Sequence, residues 1–166
     1  IALPSGRRVL LPNEESRDLF AERSNYFDEL EQAAEAIGVE LAVSPAEMNH
    51  AIAERLRHRH GLTVTVQPLE DAHRRYDPAA RALLLSESLG RESRGFQMAF
   101  QLVLLEAREA VDAVLRDARP SSPEAGSLIR IGLLNYAAAA VLMPYASFLA
   151  AAQALRHDME AVAARF

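Results

Sequence analysis

The chain has 166 residues, which suits one domain with a buried core, and its residues are 50% hydrophobic and 25% charged, as in ordinary globular proteins. The formal net charge of −5 argues against direct contact with nucleic acid, and all 18 basic residues are arginines. Cysteine is absent, which excludes disulfides, thiolate nucleophiles and cysteine-based metal sites.

Two helices are predicted in the first third of the chain. Residues 13–37 form one predicted helix, with Asn13 as its N-cap, apolar residues at helical spacing and Gly38 at its end. The segment Ser44–Glu47 has the pattern of a capping box, with proline at the first helical position. It predicts a second helix that continues to a C-cap at Gly61.

A small sheet is predicted next. Residues 62–66 alternate and are rich in β-branched side chains, which indicates a strand with one buried face. Residues 73–76 and 82–85 flank the turn signal Asp77-Pro78 and predict a hairpin. We therefore expect a small antiparallel sheet.

The last part of the chain is predicted to be helical. A long helix over 91–118 is apolar between Phe96 and Leu105, apart from two glutamines, so we expect burial nearly all round in that stretch. A helix over 122–143 ends at Pro144, and residues 145–165 are helical again with a break near His157. The fold class is α+β, mainly helical.

This order of elements, with a buried central helix, resembles the zincin scaffold of small zinc peptidases. The segment Arg94–Leu104 is similar to the stretch around the HExxH helix of the ImmA/IrrE metallopeptidase family. The segment Leu133–Tyr145 resembles that family's E-A-N-x-F-A-A-x-L-L-M-P signature, which is the more specific of the two motifs. The resemblance implies a zincin-like scaffold.

The metal positions of that family are not kept in this chain. In HExxH, two histidines at i and i+4 share one helix face and bind zinc, beside a glutamate that acts as general base. In the matching register the histidine positions hold Phe100 and Leu104, the base position holds Gln101, and the third ligand position holds Leu133. We predict a degenerate site with no metal, no cofactor and no catalytic residue. Another register, in which this is only a core helix, gives the same prediction for catalysis.

A narrower resemblance spans nearly the whole chain and rests on separate motifs: Leu11–Phe20, Asn25-Tyr26, His60-Gly61, Arg75–Pro78, Asn135–Ala139 and Pro144–Phe148. These are similar to the middle domain of short-chain fatty acyl transcriptional regulators, which include actinobacterial regulators of propionate catabolism and of acetate metabolism. Such regulators also have an N-terminal helix-turn-helix domain and a C-terminal cysteine-bearing domain. The resemblance implies that this chain senses coenzyme A or an acyl-coenzyme A and passes the signal to the DNA-binding domain.

Four candidate ligand-binding residues come from the degenerate metal site. Phe100, Leu104 and Leu133 are either core packing or the apolar wall of a pocket for an acyl or pantetheine group. Gln101 lies on the same predicted buried helix, and an unpaired buried amide costs roughly 1–3 kcal/mol. Its side chain therefore needs an internal backbone partner, the favoured interpretation, or a ligand.

Five further candidates lie elsewhere in the chain. Arg74, Arg75 and Tyr76 are the best phosphate candidates, since they combine two guanidinium groups and an aromatic ring on a short hairpin, although a solvated edge with an ion pair has the same pattern. Tyr26 is either a residue that stacks on a ligand or an aromatic at the edge of the core. Tyr136 belongs to the fold signature and is also kept as a ligand candidate.

The sequence thus favours a non-enzymatic, ligand-sensing domain of a bacterial transcription factor for short-chain fatty acid metabolism. We expect residues 1–166 to be a single domain cut from a longer regulator, which reaches DNA through another domain. A signal-peptide pattern is lacking in segment 3–8, and no apolar run reaches the roughly 20 residues of a membrane span, so we expect a cytoplasmic protein without membrane contact. A homo-oligomer is possible. The alternatives are a structural or dimerisation module without a ligand, and a zinc peptidase with noncanonical ligands.

Overall fold

The structure, a computed structural model, describes residues 11–70 and 72–165. Its elements in chain order are α1 (Pro12–Glu22), α2 (Asp28–Leu41), α3 (Met48–His60), β1 (Thr63–Gln67), β2 (Arg74–Asp77), β3 (Ala82–Ser86), α4 (Arg91–Glu106), α5 (Arg108–Ala118), α6 (Pro123–Leu142), α7 (Tyr145–Ala154) and α8 (Met159–Ala163). This is the expected α+β fold. The segment 3–8, on which the signal-peptide prediction rests, lies outside the described residues.

The single helix predicted over 13–37 is wrong, because the chain turns between α1 and α2. Ser24 and Asn25 have φ values of 52° and 56°, in the left-handed region that interrupts a right-handed helix. Asparagine enters this region more readily than most side chains. The second helix also continues through Gly38 and ends only where Ala42 adopts φ 47°.

The helix predicted to begin at Pro45, after the capping residue, begins three residues later, at Met48. The Ser44 hydroxyl donates to the Glu47 carboxylate at 2.7 Å, and this bond closes a turn that precedes α3. The predicted end is confirmed, since Gly61 follows α3 with φ 62° and its N–H donates to the Arg57 carbonyl. A left-handed residue at this position suits glycine because it has no Cβ.

The sheet has the strand order β1-β3-β2. The predicted β2–β3 hairpin is confirmed, and Asp77 Oδ1 accepts from the N–H groups of Ala79 and Ala80 at 2.9 Å each. The sheet is mixed, however, because β1 pairs with β3 in parallel, so the prediction of a wholly antiparallel sheet is wrong. Strand β2 lies at an edge of the sheet and runs in the opposite direction to β1. The chain turns again after β2, so β3 has the same direction as β1.

The structure divides the long helix predicted over 91–118 into two helices, α4 and α5. They meet at Ala107, whose φ of −104° and ψ of 15° depart from helical values. One side of α4 packs against α3 and α6, but Leu104 and Leu105 are 37% and 38% exposed. The prediction that this stretch is buried nearly all round is therefore wrong, because α4 has an open side.

Helix α6 is the central helix of the fold. The Ser122 hydroxyl caps it by accepting from the Ala125 N–H at 3.1 Å, and the helix ends before Pro144 as predicted. With 20 residues and a hydropathy of 1.5 it has the length and composition of a membrane span. In this fold it packs against α1, α2, α4 and α5, and Leu133 and Ala137 on it are fully buried. The break predicted near residue 157 is confirmed between α7 and α8.

Candidate functional site

The positions that correspond to the HExxH motif lie on α4, and the position of the third ligand lies on α6. Phe100 is half-buried and packs against the core, whereas Leu104, one turn further, is 37% exposed. Gln101 is only 1% exposed. Leu133, at the third ligand position, is fully buried on the neighbouring helix α6. The four positions therefore differ widely in their access to solvent.

These side chains do not fit a zinc ion. Phenylalanine and leucine have no atom that binds a metal, and zinc in proteins takes its ligands from histidine, cysteine and carboxylate side chains. Among residues 11–70 and 72–165, no group of three or more such side chains is placed to hold a metal. Peptide hydrolysis by a zinc-bound water therefore has no support in the geometry of this site.

An arginine covers the half-buried ring on α4. The Arg74 guanidinium carbon lies 4.2 Å from the centroid of the Phe100 ring. Its Nη1 atom is buried and has no hydrogen-bond partner among the described residues. Burial lowers the pKa of the Arg74 guanidinium, yet an arginine side chain remains charged at neutral pH. A positive charge is thus held over an aromatic ring.

The three hairpin candidates do not converge. Side chains alternate along a strand, so Arg74 and Tyr76 share one face of β2 and Arg75 points to the other. The partner of Arg74 in the sheet is the buried Leu85, which identifies the inner face, and the partner of Arg75 is Leu84. The expected pair of guanidinium groups is therefore split, with Arg75 exposed on the outer face.

The buried glutamine lacks the partner that we expected. Within the described part of the chain, the Gln101 Nε2 atom makes no hydrogen bond although it is buried. The internal backbone partner that we predicted for this amide is therefore not found at its Nε2 atom. A buried donor without an acceptor costs roughly 1–3 kcal/mol, so such groups are rare in native proteins.

The two tyrosine candidates lie on other elements and differ from each other. Tyr136 donates to Glu31 Oε1 at 2.6 Å, and its ring contacts Phe27 edge to face at 5.2 Å. Burial and then the bond to Glu31 raise the pKa of Tyr136, so its hydroxyl stays protonated. Tyr26 is 40% exposed and its ring lies 5.3 Å from that of Tyr145. Tyr136 therefore has a structural role, whereas Tyr26 offers an accessible ring.

A buried charged cluster was not found from the sequence. The Glu106 carboxylate accepts from Arg55 Nη2 at 2.6 Å and lies 2.7 Å from His60 Nε2, and Arg55 also contacts Glu40 at 2.7 Å. Burial raises the pKa of Glu106, but the bonds from Arg55 and His60 outweigh it, so this pKa lies below its ordinary value. The partners are about fifty residues apart in the chain, and no local motif joins them.

Two large cavities lie away from these candidates. One of about 670 Å³ is bordered by the turn before α3, the start of α4 and the end of the chain, with Asn49 and Arg91 among its lining residues. Another, of about 750 Å³, lies between α2, α6 and α7 and is mainly apolar, with Val39, Met48 and Leu142 in its wall. None of the nine candidate residues lines either cavity.

Comparison with known proteins places the fold among bacterial regulators. The chain is 34% identical over 163 residues to the HTH-type transcriptional regulator RamB of Mycobacterium tuberculosis and 37% identical over 166 residues to the HTH-type transcriptional regulator PrpR of the same organism. These matches cover 96% and 99% of this chain. The chain spans 34% of the length of each relative.

Three further matches extend this comparison. The propionyl-CoA carboxylase regulator of Cereibacter sphaeroides is 36% identical over 155 residues, which cover 93% of this chain and 32% of the relative. A solved Mycobacterium tuberculosis transcriptional regulator superposes with a TM-score of 0.89 at 35% identity, covering 94% of this chain and 48% of that one. The M78 peptidase model, described as the IrrE N-terminal-like domain, matches residues 57–166. The chain therefore belongs to the IrrE N-terminal-like domain family.

Proposed function

We propose that this chain is the ligand-sensing domain of a cytoplasmic bacterial transcription factor that controls short-chain fatty acid metabolism. It binds coenzyme A or a short acyl-coenzyme A and has no peptidase activity. The observation that carries the proposal is the replacement of the metal ligands by Phe100, Leu104 and Leu133, in a chain whose relatives are named as transcriptional regulators. DNA contact then belongs to other segments of the longer protein.

Exposed groups of the described residues suit the parts of such a ligand. Arg75 is accessible on the outer face of β2 and can meet a phosphate group, while Phe100 and Leu104 on α4 can contact an acyl chain. A ligand changes the regulator only through its different affinities for two arrangements of the protein.

The first test is binding of coenzyme A and of its acetyl, propionyl and butyryl thioesters. We expect each ligand to raise the melting temperature, because it binds the folded state. Propionyl should bind about threefold to fourfold more tightly than acetyl, at about 0.8 kcal/mol for each buried CH₂. Thermal shift and isothermal titration measure both effects. The absence of both binding heat and a shift in melting temperature at millimolar ligand would contradict the proposal.

A pair of arginine variants separates phosphate contact from a general charge effect. Arg75→Ala should weaken all the thioesters by similar factors and leave the order of acyl lengths intact, with a smaller effect at high salt. Arg116→Ala removes the same charge from the exposed surface of α5 and should leave the affinities unchanged. Equal losses in both variants would show that Arg75 makes no specific contact.

One observation favours a second candidate function, a structural module without a ligand. Leu133 is fully buried in the core, and the two large cavities lie elsewhere, so part of the former metal site is filled by packing. The titrations above distinguish this candidate, since a structural module binds none of the thioesters.

A further inference from the structure

The two large cavities adjoin each other. The cavity of about 750 Å³ between α2, α6 and α7 and the cavity of about 670 Å³ beside the start of α4 have four lining residues in common: Pro45, Met48, Leu142 and Arg165. Together they form the α7–α8 cleft. Each volume lies within the range of about 300–1,000 Å³ that is usual for the binding sites of small molecules.

The last two helices bring Arg165 to this cleft. The chain turns between α7 and α8, where Arg156 and His157 have φ values of 52° and 61°. The Asp158 side chain then caps α8, and Val162 on this helix is buried. These features place Arg165 where the walls of the two cavities meet.

The larger cavity suits an aliphatic chain. Its apolar wall includes Val39, Val43, Met48, Val141 and Ala151. Val39 is 70% exposed and Val141 is fully buried, so the apolar surface extends from solvent into the core. Covering such surface is favourable, at about 25 cal/mol for each Å² removed from water. A short chain would leave much of the volume empty, which favours a longer one.

The smaller cavity carries most of the polar groups. Asn49 and the guanidinium groups of Arg91 and Arg165 line it. Each cavity also has one exposed glutamate, Glu35 in the larger and Glu92 in the smaller. Among the described residues that line the cleft, Arg165 is the one charged residue that belongs to both cavities. Its planar guanidinium matches a carboxylate through two parallel N–H···O bonds.

We propose that the α7–α8 cleft binds a free medium-chain fatty acid. The carboxylate pairs with Arg165 where the two cavities adjoin, and the aliphatic chain lies in the larger cavity against Val39. This site is separate from the proposed coenzyme A site, since Arg75, Phe100 and Leu104 line neither cavity. The thioester titrations and the experiment below can therefore fail separately.

The experiment is an isothermal titration of the full 166-residue chain with hexanoate, octanoate and decanoate at constant ionic strength. Complete burial of two CH₂ groups corresponds to about fifteenfold in Kd. Because the cavity reaches the surface at Val39, we expect the Kd to fall by about threefold to tenfold for each two added carbons. Octanamide, the neutral analogue, should bind at least about threefold more weakly than octanoate. A Kd that does not vary with chain length would contradict the proposal.

A first pair of variants tests the carboxylate contact. Arg165→Gln should raise the Kd for octanoate by about threefold to tenfold and change that for octanamide by less than about twofold, because only the acid loses a charge-assisted pair. Arg116→Gln removes the same charge from an exposed position of α5 that lines neither cavity, and should affect neither ligand. Equal losses for octanoate in the two variants would overturn the role of Arg165.

A second pair tests the position of the aliphatic chain. Val39→Glu puts a charge into the wall of the larger cavity at a side chain that the fold leaves exposed, and should raise the Kd for decanoate at least about fivefold. Val66→Glu makes the same change at an exposed valine of β1 outside the cleft and should have less than a twofold effect, on the order of ordinary surface substitutions. Equal effects of the two variants would contradict the site.

Analytical ultracentrifugation of the parent and of Val39→Glu tests the alternative occupant, a second copy of the chain. We expect the same oligomeric state for both proteins. A parent dimer that Val39→Glu dissociates, together with no binding heat from any of the three acids, would assign the cleft to the second copy and overturn the proposal. The absence of binding heat from a monomeric parent would overturn it as well.

Discussion

At the residue scale, the side chains that stand at the metal-ligand positions differ in their surroundings. Leu133 is fully enclosed, Phe100 is half-buried beneath a guanidinium group, and Leu104 is 37% exposed. The same chemical change therefore has a different cost at each position. A polar side chain introduced at a buried position lowers the free energy of unfolding much more than one introduced where water can reach it.

The triple variant Phe100→His, Gln101→Glu, Leu104→His tests this ordering. We expect it to be less stable than the parent by roughly 1–3 kcal/mol for each of the first two changes. An imidazole replaces a half-buried apolar ring, a carboxyl group replaces a buried amide, and Leu133 supplies no third zinc ligand. Chemical denaturation measures the loss, and elemental analysis after mild chelation should find no stoichiometric zinc in parent or variant.

Leu104→His alone is the control for the triple variant. Its position is partly exposed, so the change in unfolding free energy should stay within about 0.5 kcal/mol. A triple variant that keeps the parent stability, or that retains one zinc per chain, would contradict our account of the site.

At the element scale, glycines decide how closely two helices approach. A Cβ added at Gly95 on α4 would lie 2.2 Å from Asn49 Oδ1 on α3, and Asn49 Nδ2 donates to the Arg91 carbonyl at 2.9 Å. Gly38 on α2, by contrast, has no atom within 4 Å of an added Cβ. One glycine is thus required by packing and the other is not.

We predict opposite effects of alanine at these two glycines. Gly95→Ala should lower the unfolding free energy by about 1–3 kcal/mol, because α3 and α4 must separate or Asn49 must lose its bond. Gly38→Ala should raise it by about 0.5–1 kcal/mol through helix propensity. Denaturant titrations of both variants measure the difference, and a gain in stability for Gly95→Ala would contradict the close packing.

The elements with strong local signals could be predicted from the sequence, and those set by tertiary contacts could not. Gly61, Pro144 and the Asp77-Pro78 turn mark their boundaries by local chemistry, and the structure confirms all three. No glycine or proline lies at the break at Ala107, so the sequence contains no local signal for it. The parallel pairing of β1 with β3 depends on which edge of the hairpin meets β1, and a strand pattern does not contain that information.

The candidate site shows the same division. Strand alternation separates Arg74 from Arg75 once the strand bounds are known, so this correction could have been made from the sequence. The position of Arg74 over Phe100 depends on how the sheet lies against α4, which is a tertiary fact. The missing partner of Gln101 is likewise visible only when every neighbouring acceptor has been placed.

At the scale of the whole molecule, one buried carboxylate connects three helices. Glu106 at the end of α4 binds Arg55 and His60 of α3, and Arg55 also reaches Glu40 of α2. The Glu106 side chain is 7% exposed and that of Arg55 11%, so solvent screens this pair much less than a surface ion pair. The cluster fixes the relative positions of these three helices.

We predict that Glu106→Gln lowers the unfolding free energy at neutral pH by about 2–3 kcal/mol, since Arg55 loses its buried partner. The pKa of Glu106 is lowered in the folded protein, so its contribution is present above the ordinary pKa of glutamate and is lost as the pH falls through the folded value. The difference between parent and variant should therefore narrow in acid. Unfolding curves at several pH values measure it.

Glu54→Gln is the matched control for the cluster. Its exposed carboxylate pairs with Arg57 and His58 on the surface of α3, where solvent screens the interaction. The loss of stability should be clearly smaller than in Glu106→Gln. Equal losses in the two variants, or a difference from the parent that does not depend on pH, would contradict the role given to Glu106.

The central place of β3 in the sheet has a consequence for the order in which the chain folds. The β2–β3 hairpin closes across a short local turn, whereas β1 can pair only with a strand that has already returned from that turn. Closing a short loop costs less chain entropy than closing a longer one. We therefore expect the hairpin to form first and β1 to be added afterwards, so that the inner face that carries Arg74 forms before the third strand is in place.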